Sequence, residues 1–245
     1  MLAVLLALAV PALVRAQTMA QRVAQAPDGT VRMSFTARPG VCGNGRNIST
    51  SRGSDEWESG CESGPVRVAL TVRAHGVVTI RTYVGGRWRA AASGVTDLGD
   101  VSARQASDFL LTLAGKVDGQ GGRDAIFPAT LADSAVVWPR LIAIARDPGT
   151  PRETRKQAVF WLGQAAEAEA TRGLDSLVNQ DSLDRSVKEQ AVFALSQRPN
   201  GESVPALVRV ARTNRDPAIR KKALFWLAQS DDPRAVSLFE ELLRK

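Results

Sequence analysis

The sequence predicts an α+β protein, with a small antiparallel β-sheet domain first and an α-helical solenoid after it. Three observations carry this. Apolar and polar residues alternate with period two in three stretches between residues 31 and 84. From Val101 onward the apolar period lengthens to that of a helix. A ten-residue segment then recurs three times in the second half, at offsets of 33 and 32 residues, and self-similarity at such a period marks stacked helical units.

The chain has 245 residues, 44% apolar and 23% charged, which is ordinary globular composition. Its first segment is an apolar run from Leu2 to Val14, interrupted by Pro11. Thirteen residues are too few to span a bilayer, which takes roughly 20, but they fit the apolar region of a signal peptide. Val14 and Ala16 suit cleavage before Gln17, so residues 1–16 are expected to be removed. No Lys or Arg precedes the run, and an N-terminal helix packed on the protein is the alternative reading. Gln17 is not a cysteine, so lipid anchoring is not indicated. The expected location is outside the cytoplasm, periplasmic or secreted, with no transmembrane segment in the mature chain.

Residues 17–100 are expected to form the small β domain. Val31-Arg-Met33-Ser-Phe35-Thr-Ala37, Val66 to Ala74 and Val78 to Val84 are its strands, with turns expected at His75-Gly76 and Gly85-Gly86. Cys42 and Cys61 are the chain's two cysteines. In an exported chain they read most simply as one disulfide. Asp55, Glu56, Glu58 and Glu62 cluster between or beside them. Calcium takes clustered carboxylates, but the spacing matches no known calcium loop, and a solvated acidic loop is the simpler reading. With one His and two Cys, the chain has too few ligands for a Cys/His zinc centre or an iron–sulfur cluster. No metal, cofactor or catalytic residue is expected.

Residues 101–133 read as a helical connection. Ser102-Ala-Arg-Gln105 has the form of a capping box, and Ala106, Phe109, Leu110 and Leu113 follow at helical spacing. The Gly-rich stretch 118–122 is expected to be a loop; it lacks the Gly-Lys-Ser/Thr ending of a phosphate loop.

Residues 134–245 hold the repeats. Arg155 to Gln164, Lys188 to Gln197 and Arg220 to Gln229 align without gaps. Thr150-Pro151-Arg152-Glu153, Asp184 and Asp216-Pro217 supply helix-start signals at matched places. Amphipathic stretches precede each segment at Trp138–Ala145, Leu174–Val178 and Val204–Ala211, and Asp232-Pro233 opens a last helix. The pattern Asp216-Pro217-Ala-Ile-Arg220-Lys-Lys-Ala223-Leu-Phe-Trp-Leu227 resembles HEAT-like repeats of the phycobilisome-lyase type. The resemblance implies a stack of helical hairpins, and for most such repeats a protein-binding scaffold. It brings no lyase-type residue with it, and the first repeat departs from the pattern by having Thr150 before Pro151.

A helical wheel at about 100° per residue adds a candidate surface. With Ala158 at the origin, Leu162, Arg155, Val159 and Trp161 share the buried side while Phe160 points away. Phe193 and Phe225 fill the same slot in the other repeats, and Gln164, Gln197 and Gln229 lie beside them. Such a row on the second helices is expected on the concave side of a solenoid, as a docking face for a protein or peptide. The competing reading makes the phenylalanines core, the glutamines helix caps, and Arg155, Lys188 and Arg220 with Asp184 and Asp216 an inter-repeat charge ladder. The net charge of +7 spreads as +2 over residues 17–133 and +4 over 134–245, with Arg15 supplying the rest. Without a long basic block, nucleic acid is not the expected partner. The sequence thus points to a non-enzymatic scaffold. The alternative is an enzyme or cofactor-handling protein with a site between the β domain and the solenoid, involving His75, the acidic loop or the cysteine pair.

Overall fold

The computed structural model describes residues 17–50, 60–117 and 120–244. The expected signal peptide, 1–16, and the carboxylates Asp55, Glu56 and Glu58 lie outside the described residues.

A short helix, α1 (Met19–Ala24), is closed by a capping box between Thr18 and Gln21. The strands β1 (Gly29–Phe35), β2 (Cys42–Asn44), β3 (Asn47–Ser49), β4 (Val66–Arg73), β5 (Gly76–Val84) and β6 (Val95–Asp100) follow. Two of them, β2 and β3, form a separate two-stranded sheet, and the main sheet runs β5-β4-β1-β6. The three expected strands are antiparallel, as alternation suggested. The fourth, β6, was not expected and lies parallel to β1. Its sequence, Val-Thr-Asp-Leu-Gly-Asp, has too little alternation to be seen locally.

Cross-strand pairing puts Val31, Met33 and Phe35 beside Leu70, Val68 and Val66. Ile80 and Val84 continue that side on β5. These residues are buried in one hydrophobic cluster with helical residues such as Leu110 and Ile126. The opposite side is polar.

The turn between β4 and β5 differs from expectation. Ala74 and His75, not His75 and Gly76, take the left-handed conformation (φ 48° and 61°), and Gly76 pairs with Arg73 inside the ladder. A two-residue turn with both centres left-handed matches strand twist. Asp28 fixes this one by accepting from the Ala74 N–H at 2.9 Å. Gly85-Gly86 makes no hairpin. From there the chain crosses to the far edge of the sheet and enters β6. Cys42 and Cys61 form a disulfide.

The helices are α2 (Ala103–Lys116), α3 (Gln120–Thr130), α4 (Trp138–Arg146), α5 (Arg152–Gly163), α6 (Ala168–Val178), α7 (Arg185–Ser196), α8 (Asn200–Thr213), α9 (Pro217–Leu227) and α10 (Pro233–Leu243). Consecutive helices pack as hairpins α2/α3, α4/α5, α6/α7 and α8/α9. The first members stack in the row α2-α4-α6-α8-α10, the second members in the row α3-α5-α7-α9. This is the helical-repeat architecture expected, and α2/α3 stack into the same two rows.

Three local expectations need correction. Gln120–Gly122 are not loop but the first turn of α3. A Cβ on Gly121 would stand 3.1 Å from the Val78 carbonyl oxygen, and one on Gly122 2.3 Å from that of Val117. These glycines allow close backbone approach rather than flexibility. Ser102 is the N-cap of α2 but makes no capping hydrogen bond. Thr150 does not cap α5, because Pro151 is the N-cap residue and the Thr150 hydroxyl donates to Asp147 at 3.0 Å. Asp216 and Asp232 do cap, accepting from the N–H groups of Ala218 and Arg234 at 2.9 Å each.

The sheet and the first helical pair share one core and several backbone bonds. Arg38 N–H donates to Leu131 (2.8 Å), Asp133 N–H to Thr36 (3.0 Å) and Val101 N–H to Ser34 (2.8 Å).

Candidate functional site

The repeated segment lies on α5, α7 and α9, the second-helix row. Alanine and a branched residue at matched places, Ala158-Val159 and Ala191-Val192, are fully buried, as are Leu162, Leu195 and Leu227. They anchor each helix to its hairpin partner and fix where the next residues point. Phe160 and Phe193 are half-buried, and Phe225 is 53% exposed. None of the three belongs to the buried core.

Their surroundings come from neighbouring aromatics. Trp161 sits edge-on to Phe160 (5.2 Å between ring centres) and Trp226 edge-on to Phe225 (5.1 Å). Phe193 on α7 reaches across to Trp226 on α9 at 5.2 Å. One further member was missed in the sequence. Phe127 on α3 stacks on Trp161 of α5 at 5.0 Å with the rings 24° apart. It lies 33 residues before Phe160, and Ala125-Ile126-Phe127 matches Ala158-Val159-Phe160. That signal was available, but it was masked by the glycines around it. Trp161 and Trp226 have no counterpart on α7, where Ala194 takes the place.

Gln164, Gln197 and Gln229 are all exposed. Their backbone N–H groups close the last turns of α5, α7 and α9, donating to Trp161, Ala194 and Trp226 at 3.2, 3.3 and 3.2 Å. Their backbones thus serve the helix ends while their amides stand on the surface.

The charge ladder forms in part, with different members. Arg155, buried, ion-pairs with Asp184 of the next repeat. Lys188 does not continue the pattern and donates to the Asp181 carbonyl oxygen at 3.4 Å. Arg185 takes the next step to Asp216 at 2.9 Å. Arg220 is occupied by the backbone oxygens of Asn214 and Arg215 at 2.8 and 3.2 Å. The Ala218 N–H and the Arg185 hydrogen bond hold the Asp216 carboxyl below its usual range, against the effect of burial.

A groove of about 530 Å³ opens where α5 and α7 begin, lined by Thr150, Arg152, Arg155 and Asp184 among others. Its lining includes none of the three phenylalanines, and two of its three charged residues, Arg155 and Asp184, are paired with each other. His75 is exposed, and its Nδ1 donates to the Ala24 carbonyl oxygen at 3.0 Å, which makes it a turn anchor. Among the described residues no three His, Cys, Asp or Glu side chains converge as a metal site would require. Among them, too, no helix is long and apolar enough to cross a membrane.

A β-sheet leading into stacked helical hairpins, with an aromatic row on the second helices, defines a helical-repeat protein. Residues 174–245 match the family model described as HEAT repeats. HEAT repeats generally mediate protein–protein interaction. No curated protein matches the chain.

Proposed function

We propose that the protein is a non-enzymatic scaffold that docks a protein or peptide on the second-helix row, the concave side of such a stack. The supporting observation is that Phe160, Phe193 and Phe225, one per repeat, stay outside the core although each has a buried Ala two places before it and a buried Leu two places after it. Aromatic anchors of this kind dominate binding energy at interfaces. Gln164, Gln197 and Gln229 then supply amides for the partner's backbone groups. In this reading residues 1–16 direct export to the periplasm or exterior, where the Cys42–Cys61 disulfide persists. Residues 17–100 form the sheet domain, 101–133 join it to the stack and extend the row with Phe127, and 134–245 carry the docking face. The repeats are similar to the phycobilisome-lyase type.

The experiment compares wild type with the triple variant Phe160→Ala, Phe193→Ala, Phe225→Ala, and with Phe225→Ala alone. Capture from cell-envelope extract identifies the partner by mass spectrometry, and calorimetry with that purified partner gives affinities. Melting is measured on the same samples. Loss of binding with melting temperature nearly kept supports the reading. A triple variant that fails to fold, together with Phe225→Ala binding as wild type, would assign the row to packing.

A further inference from the structure

The polar side of the sheet carries a second surface, remote in sequence from the phenylalanine row. Pairing sets Arg32, Ala69 and Arg81 side by side across β1, β4 and β5, with Ser34, Arg67 and Tyr83 in the adjacent row. The segment linking β5 to β6 crosses this side. Trp88 on it donates from Nε1 to Ser34 Oγ at 3.0 Å, and the Arg32 guanidinium carbon stands 5.2 Å from its ring centre. Tyr83 packs against Trp88 at 5.8 Å in an edge-to-face contact. Arg87 and Arg89, both exposed, flank Trp88 in the chain.

Arginines predominate here, with carboxylates at the border: Glu62 accepts from the Gly86 N–H at 2.9 Å, next to Arg87, and Asp100 pairs in register with Ser34. Among the described residues, the one carboxylate ion-paired with these arginines is Asp97, held by Arg32 at 2.7 Å. Arg67 keeps a buried Nε with no hydrogen-bond partner among the described residues, and its Nη1 makes only long contacts, 3.3 and 3.5 Å, to the Pro65 and Gly85 oxygens.

We propose that this face docks a short acidic segment of a partner protein, whose carboxylates are received by Arg67, Arg81 and Arg87. Charge complementarity argues for it, and the face already contains an example of the contact. Arg32 holds one oxygen of the Asp97 carboxylate, Oδ2, through Nε at 2.9 Å and Nη2 at 2.7 Å, while the other, Oδ1, accepts from the Gly99 N–H at 2.9 Å. Single-stranded nucleic acid fits less well. It needs aromatic rings free for base stacking, and the Trp88 ring is engaged by Arg32 and Tyr83. The arginines also span only β1 to β5, roughly 10 Å at about 4.8 Å per strand, which suits a few carboxylates better than a long phosphate track.

The test is fluorescence anisotropy of a fluorescein-labelled hexaglutamate peptide titrated with the full chain. The variant is Arg81→Gln with Arg87→Gln, at two exposed positions, and melting is followed in parallel. The peptide is expected to bind wild type, to weaken by about tenfold or more in the variant at unchanged melting temperature, and to weaken as salt rises. The Phe160/Phe193/Phe225 alanine variant is expected to bind it as wild type does, which separates this surface from the docking row. Equal binding by the arginine variant overturns the proposal, as does absence of binding to wild type. Tighter binding of an oligothymidylate of matched charge overturns it in favour of nucleic acid.

Discussion

Gly163 on α5 lies so close to Ala194 on α7 that a Cβ on the glycine would stand 2.9 Å from the alanine's own Cβ. Ala194 occupies the place held by Trp161 and Trp226 in the flanking repeats, so small residues on both sides bring these two helices together. Replacing Gly163 by Ala forces the helices apart and is expected to cost about 1–3 kcal/mol as overpacking. Ala194→Trp, which restores the repeat pattern, is expected to cost at least as much. Chemical denaturation of both variants checks this. A gain in stability from Ala194→Trp would show that the close approach is dispensable.

Arg198 is expected to be the most sensitive single polar position in the repeats. Its guanidinium is buried and ties three segments together. It donates to Thr171 at 2.9 Å, to Glu202 at 3.1 Å, and to backbone oxygens of Gly163, the last residue of α5, and of Ala165 and Glu167 beyond it. Arg198→Ala leaves those oxygens without their donor, at an expected cost of about 3–5 kcal/mol. The exposed pair Arg215–Asp181 is the control, since both partners are mostly in water. Arg215→Ala is expected to change stability by less than about 1 kcal/mol. Urea melts of the two variants side by side decide it.

The Cys42–Cys61 bond closes a chain segment 19 residues apart. In the chain-entropy model a loop of this size contributes roughly 3 kcal/mol. Reduction, or Cys42→Ser with Cys61→Ser, is expected to lower the melting temperature by about 6–12 °C at this chain length. Scanning calorimetry with and without reductant measures it. An unchanged melting temperature would mean that the rest of the sheet domain already fixes this loop.

Acid is expected to weaken the repeats in a defined window. The Asp232 carboxyl is lowered to about 2, chiefly by the Arg234 side chain and then by the Arg234 N–H. Glu202 is lowered by Thr171 and Arg198, and Asp216 by the bonds described above. At Asp97 partial burial acts to raise the carboxyl, but hydrogen bonds from Arg32 and Gly99 outweigh it and the net direction is down. Each group is easier to protonate unfolded than folded. Their stabilisation is therefore complete above the ordinary carboxylate range, about pH 4, and is lost as pH falls through the lowered folded values. Melting temperature should be flat in this respect from pH 7 to about 5 and drop below about 4. Asp232→Asn should shrink the acid-dependent part. A melting temperature that rises on acidification contradicts the assignment.

The sequence alone determined the features that depend on local period. Apolar spacing of 3.6 and its recurrence every 32–33 residues showed the helices from α4 to α10, because each helix must bury one stripe against its partner. The same spacing placed Phe160, Phe193 and Phe225 on one side, and two-residue alternation showed β1, β4 and β5. Tertiary structure decided what depends on neighbours distant in the chain. The β6 strand, broken by Gly99 and carrying two aspartates, becomes a strand only because β1 offers it a parallel edge. The start of α3 reads as a loop until Gly121 and Gly122 are seen against the backbone of Val78 and Val117. Arg198 looks like any surface arginine until three helix ends meet around it. Whether the phenylalanines are core or surface was open too. Helical phase fixes only the direction of a side chain, and its exposure depends on what the adjoining helix places there, as tryptophan does beside Phe127 and Phe193.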